Sequence, residues 1–214
     1  MNAAPLCARI RADLRDVEAR IRGHSWLDAL EAGRIPLEAL RAFAGEQLQI
    51  IPSDLRSFTM LAGRFAAEPA HGYLAGMAAG EGAALEALAG FARATGADSG
   101  GYEPIPGCQA YPSYVARLAR DAAPAEVAGA FLVNLEAWGS NCARMRRALT
   151  SAYHMATEDL EFFALFAAPT DELERASLAV IDDGIAQGVD PAAVARAARL
   201  LQAYELLFWD SLPT

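Results

Sequence analysis

Three glutamates, Glu81, Glu136 and Glu205, fall where a carboxylate is hard to place, on the apolar faces of segments with helical periodicity. Glu136 shares its face with Leu132, Val133, Gly139 and Ala143. Glu205 is flanked by Ala198, Leu201, Phe208, Trp209 and Leu212, and Glu81 by Leu74, Met77, Ala78, Ala84, Leu85 and Leu88. Charged side chains are rarely buried unless something pairs with them. Either an arginine from a neighbouring helix neutralises each one, or burial raises its pKa and fits it for proton transfer near neutral pH. Three such residues in one short chain point to a shared polar pocket. Glu31, Glu38, Glu68, Glu158 and Glu174, near polar neighbours or helix ends, read as solvated.

Other chemistries are excluded by what is missing. All 18 basic residues are arginines, so no Schiff base, P-loop lysine or lysine general base is available. Of the histidines, His24 precedes a short helix and reads as a capping or packing residue, His71 as an exposed one, and His154, with Glu158 one turn on, as a solvated pair. Cys7, Cys108 and Cys142 are odd in number and form no CxxC pair, which argues against zinc and for a reducing, cytoplasmic compartment. A net charge of −9 repels phosphate backbones, so nucleic acid is not an expected partner. Phe43, Trp138, Tyr204, Phe208 and Trp209 could form an aromatic box for a flat heterocycle, although several must simply be core. Tyr73, Tyr102, Tyr111, Tyr114 and Tyr153 fall near a long loop and helix ends, and nothing in the sequence chooses among them.

The elements that must position these residues are helices. Hydrophobic residues make up 54% of the 214 positions, and 49 alanines supply close to half of them. Alanine is the strongest helix former, and the β-branched residues that fill strands are thin. The spacing predicts helices over 5–22, 25–32, 36–67 with a bend at Pro52, 69–95, 112–121, 124–150, 155–168, 171–187 and 191–211, with Ser25 as the second N-cap. Residues 96–112, rich in Gly and Pro, form the longest loop and do not read as a domain boundary, so one domain over 1–214 is expected. The opening residues are too charged for a signal-peptide core, and no apolar run reaches the ~18 residues of a membrane span.

The tail YELLFWDSL, Tyr204 to Leu212, resembles the C-terminal signature of the TenA (thiaminase II) family of the heme-oxygenase-like superfamily. The stretch HSWLDALEAGRIPLEALRAFAGEQLQII, His24 to Ile51, is similar to that family's opening, and FFALFAAPTDEL, Phe162 to Leu173, to the segment entering its penultimate long helix. The resemblance implies an all-α heme-oxygenase-like bundle and hydrolysis of an aminopyrimidine C–N bond in thiamine salvage, with Glu205 at the position of the family's acid/base. The family's pyrimidine-holding Asp falls on Gln47, with Glu46 just before it. Its nucleophilic Cys falls near Leu135 or Glu136, where no Cys is present. One subgroup carries Glu there, which makes Glu136 the candidate equivalent. Cys142 lies six residues further along. A pocket Tyr becomes Phe166.

The superfamily also contains PqqC-like and di-iron oxidases. Two of the di-iron carboxylates map to Glu81 and Glu136, but the histidine positions hold Leu88, Phe166 and Leu173 and an Asp position holds Thr170, so no metal and no cofactor is expected. The sequence therefore leads to a TenA-like protein with Glu205 and Glu136 as catalytic residues and Phe43, Glu46, Gln47, Glu81, Trp138, Phe166, Tyr204 and Phe208 around a small nitrogen heterocycle. A non-catalytic binding or regulatory protein on the same fold, and an oxidase with degenerate ligands, are the alternatives. Homo-oligomers are expected, and neither nucleic acid nor membrane.

Overall fold

The computed structural model describes residues 2–214. They form ten α-helices and no strand: α1 (Ala3–Asp13), α2 (Arg15–Arg22), α3 (Ser25–Glu31), α4 (Leu37–Arg64), α5 (His71–Thr95), α6 (Pro106–Asp121), α7 (Pro124–Ser151), α8 (Glu161–Phe166), α9 (Asp171–Ala186) and α10 (Pro191–Ser211). No helix is long and apolar enough to cross a membrane among the described residues.

Local signals explain most boundaries. Asp190 caps α10 through its side chain, which accepts from the Ala192 N–H at 2.8 Å, and Pro191 follows at the first turn. Gly96, at φ +73°, ends α5 in the left-handed conformation that favours glycine. Four boundaries differ from the sequence reading. The first predicted helix is two, because the chain leaves helical geometry at Leu14. The cap of α3 is His24, whose Nδ1 accepts from Trp26 N–H at 3.2 Å, in place of Ser25. The segment over 155–168 is regular only from Glu161 to Phe166, after a 3₁₀ turn. The long loop ends at Ile105, since α6 starts on Pro106 and carries Pro112 within it. Proline suits a first turn, and of the two only Pro106 occupies one.

That loop is tied down from inside. Glu46 on α4 is fully buried and accepts from the Tyr102 hydroxyl (2.6 Å), the Ile105 N–H (2.6 Å) and the Gln109 amide. The Tyr102 ring lies so close over α4 that a Cβ on Gly45 would sit 2.6 Å from it. Burial of Glu46 is thus offset by three donors, two of them neutral side chains and one backbone.

The buried apolar residues form two clusters stacked along the bundle. One gathers α1, the C-terminal half of α4, the N-terminal halves of α5, α7 and α10, and α9, around Phe58, Leu74, Phe131, Ile181 and Leu201. The other gathers α3, α8 and the opposite halves of the long helices, around Trp26, Phe43, Phe91, Phe163 and Trp209. Between them the long helices turn polar. Along α4, Ile50 and Ile51 belong to the second cluster and Phe58 to the first, with Asp54 between. On α5 the same place is held by Glu81, between Met77 and Ala84, and on α7 by Asn134, between Val133 and Ala137. On α10 it is held by Gln202 and Glu205, between Leu201 and Leu206. Five buried polar side chains on four helices therefore form a waist across an otherwise apolar bundle.

Candidate functional site

The waist surrounds a partly open cavity. Asp54, Glu81, Asn134 and Glu205 line it together with Gln47 of α4 and Tyr111 of α6, and no Lys, Arg or His does. Trp138, Phe166, Phe208 and Phe131 supply aromatic walls. Trp138 meets Phe166 edge-on at 5.9 Å between centroids and Phe208 at 6.2 Å, so these rings hold each other in place.

Glu205 is the most constrained of the carboxyls. It is 2% exposed, with Asn134 Nδ2 donating to its Oε2 and Trp209 Nε1 donating to its Oε1 at 3.3 Å. Burial pushes its pKa up to about 8, the two donors acting in the opposite direction. Asn134 is fixed in turn: its amide also donates to Gln202 Oε1 at 3.0 Å, and its Oδ1 accepts from the Tyr111 hydroxyl at 3.1 Å. The Tyr111 hydroxyl is itself raised by burial and then by Asp54, Glu205 and Glu81. This network spans α6, α7 and α10.

Asp54 and Glu81 differ in having no such support. Asp54 Oδ1 and Glu81 Oε2 are buried without a hydrogen-bond partner. Burial raises both, Glu81 to about 8, and the Glu81 charge raises Asp54 further. Repulsion between two buried carboxyls favours a form that keeps at least one proton, and the protons belong to the pair rather than to either residue.

Of the sequence candidates, Gln47, Glu81, Trp138, Phe166, Glu205 and Phe208 thus meet around one cavity. Four do not. Glu136, expected as the nucleophile's equivalent, has a side chain 52% exposed and pairs with Arg11 at 3.3 Å and Arg22 at 3.2 Å, clasping α1 and α2 to α7. The face of α7 that lines the cavity runs through Phe131, Asn134, Leu135 and Trp138; the face read from Leu132, Glu136 and Gly139 is rotated from it by about 100° per residue of offset. Glu46 anchors the loop as described. Phe43, fully buried, stacks behind the wall on Trp138 at 6.3 Å and meets Phe208 at 5.9 Å. Tyr204 packs on Tyr114 at 5.1 Å, away from the cavity.

Asp54 and Asn134 were missed, and Tyr111 was one of five tyrosines among which the sequence did not choose. Asn134 carried no charge to draw notice on its apolar face, and Asp54 lies just after Pro52, where a polar residue looks like part of a helix break. All three cysteines are buried outside the cavity wall, with burial raising each thiol, Cys108 to about 12, so none is an activated thiolate. No group of three or more His, Cys, Asp and Glu able to hold a metal ion is assembled among the described residues.

Residues 11–212 match the TENA/THI-4/PQQC family. The chain belongs to that family. Among solved structures, a TenA homologue from Pyrococcus furiosus superposes with a TM-score of 0.75 at 16% identity, covering 97% of this chain and all of its own. A TenA homolog from Pseudomonas syringae pv. tomato gives 0.80 at 14% identity, covering 99% of this chain and 95% of that one. No curated protein matches the sequence. The fold of this TENA/THI-4/PQQC member is thus the heme-oxygenase-like helical bundle that the tail and opening motifs led one to expect.

Proposed function

We propose that the cavity binds a small nitrogen heterocycle of the aminopyrimidine type and that Glu205 exchanges a proton with one of its nitrogens. The observation that supports this most is the position of Glu205: a carboxyl raised to about 8, held by Asn134 and Trp209, beside flat aromatic walls. A carboxyl with that pKa is available in both protonation states near neutral pH, as general acid–base work requires. Trp138, Phe166 and Phe208 supply stacking surface, and Gln47 an amide at the place of the family's pyrimidine-holding Asp.

The reaction is hydrolysis of a C–N bond: water adds to the carbon as the C–N bond breaks, Glu205 gives its proton to the departing amine, and the Glu205 carboxylate so formed takes the proton that the added water gives up. Water has no thiol or Glu136 carboxylate beside it in this cavity; the remaining carboxyls are Asp54 and Glu81. The same observation supports a second reading, a binding protein on this fold that turns nothing over. Calorimetric titration with a panel of aminopyrimidines, followed by a turnover assay on each that binds, separates the two. Binding that Glu205→Gln weakens at least tenfold is the expected result. Binding that is insensitive to Glu205→Gln, or no binding by any aminopyrimidine, would overturn the assignment.

A further inference from the structure

Outside the cavity lies a larger and more open groove, between α5 and the corner joining α8 to α9. It shares Glu81, Leu135 and Phe166 with the cavity, so the two spaces meet at those side chains. Its floor is a glycine row, Gly72, Gly76 and Gly80, spaced to share one face of α5, and a Cβ on any of them would meet nothing within 4 Å. The opposite wall is formed by Leu165, Pro169, Leu173 and Ala176. A groove of this composition is apolar along its length and acidic at its inner end.

The inner end carries the observation that decides what it would take. Glu81 is 8% exposed and Asp54 3%, both face the cavity, and each has a carboxyl oxygen with no partner. A carboxyl oxygen buried without a donor is costly, and natural interiors seldom leave one so. No Lys, Arg or His lines either space, so the protein itself brings no cation to this pair. The charged and titratable groups around it are Glu205 on α10, Tyr111 on α6, Tyr73 on α5 in the groove wall, Arg56 on α4, which is exposed, and Glu172 on α9, which is exposed at the groove's outer wall.

We propose that the Asp54–Glu81 pair and the glycine-floored groove together form a site for a primary ammonium group bearing an apolar arm, the nitrogen on the two carboxyls and the hydrocarbon laid along α5. An ammonium group has three donors and a positive charge, which supplies what both unpartnered oxygens lack. The absence of side chains at Gly72, Gly76 and Gly80 leaves the room that the arm fills. This ligand class differs from the flat heterocycle proposed for the Glu205 end of the cavity.

Titration calorimetry with ethylamine, butylamine and hexylamine, and with hexan-1-ol as the uncharged control, tests the site. Hexylamine is expected to bind at least tenfold more tightly than hexan-1-ol, with affinity rising about fourfold for each added methylene. The double variant Asp54→Asn, Glu81→Gln should erase the preference for amine over alcohol. Gly76→Leu with Gly80→Leu, on an exposed helix face that tolerates them, should erase the dependence on chain length while leaving aminopyrimidine binding unchanged. Equal binding of amine and alcohol, no binding of hexylamine, a charge preference that survives the carboxyl variants, or a chain-length effect that survives the leucines would each overturn the proposal. Hexylamine binding without any aminopyrimidine binding would overturn the Glu205 reading alone.

Discussion

Asn134 and Glu205, 71 residues apart in the chain, are joined across the packing of α7 on α10 by a hydrogen bond from the asparagine amide to the glutamate carboxyl. The asparagine reaches the other way to Tyr111, so a single side chain links the tyrosine hydroxyl of α6 to the carboxyl of α10. Hydrogen bonding to the charged form of an acid lowers its pKa. Replacement of Asn134 by Leu, of similar volume, removes that donor and leaves burial unopposed on one oxygen. The Glu205 pKa should then rise by about one unit above its value near 8, read by NMR titration of labelled glutamate. An unchanged titration would show that Asn134 does not hold the carboxyl.

Raised carboxyls make stability depend on pH in a definite direction. Glu205 has a folded-state value of about 8 against 4.5 in the unfolded chain, and burial raises the Asp54–Glu81 pair in the same direction, so the folded state holds more protons between those limits. Their contribution is fully present below about pH 4.5 and is lost as pH rises through 8. Urea unfolding should show stability falling from pH 5 to 8 by about 1.4 kcal/mol per pH unit for each group that is protonated only when folded. Glu81→Gln should reduce that slope. A profile that is flat or rises over this range would contradict the assigned protonation.

Gly139 holds α7 against α8. A Cβ there would lie 2.6 Å from the Phe166 carbonyl oxygen, and Phe166 lines both the cavity and the groove. Gly139→Ala should push α8 outward and cost about 1–3 kcal/mol in chemical denaturation. Because Trp138 rests edge-on against Phe166, its fluorescence should change in the folded variant. Neither effect would appear if the backbone adjusted without moving α8.

Glu46 and the loop it anchors make a sharper stability test. Glu46→Ala leaves the Tyr102 hydroxyl, the Ile105 N–H and the Gln109 amide without their acceptor, and should cost about 3 kcal/mol. Limited proteolysis should then cut first within residues 96–105.

Glu136 supplies the contrasting case. Its ion pairs with Arg11 and Arg22 are at the surface, so Glu136→Gln should change stability by no more than about 1 kcal/mol and leave aminopyrimidine affinity as it was. A large loss of affinity would return Glu136 to the site.

Helix content was legible from composition and spacing because alanine bias and three-and-four periodicity are properties of the chain itself, and the motifs around Trp26 and Glu205 carried the family. The same periodicity located Glu81 and Glu205 correctly as carboxyls on buried faces. For Glu136 it failed, since an apolar stripe on an alanine-rich helix is broad and its edge is indistinct: a step of one residue turns a side chain by about 100°, from the cavity to the surface. Which tyrosine of five faces the cavity, that Asn134 supports Glu205, and that Asp54 stands against Glu81 all depend on where α4, α5, α6, α7 and α10 cross. Those crossings are set by packing between residues distant in the chain, and only the folded bundle brings the polar waist of each helix to the same level.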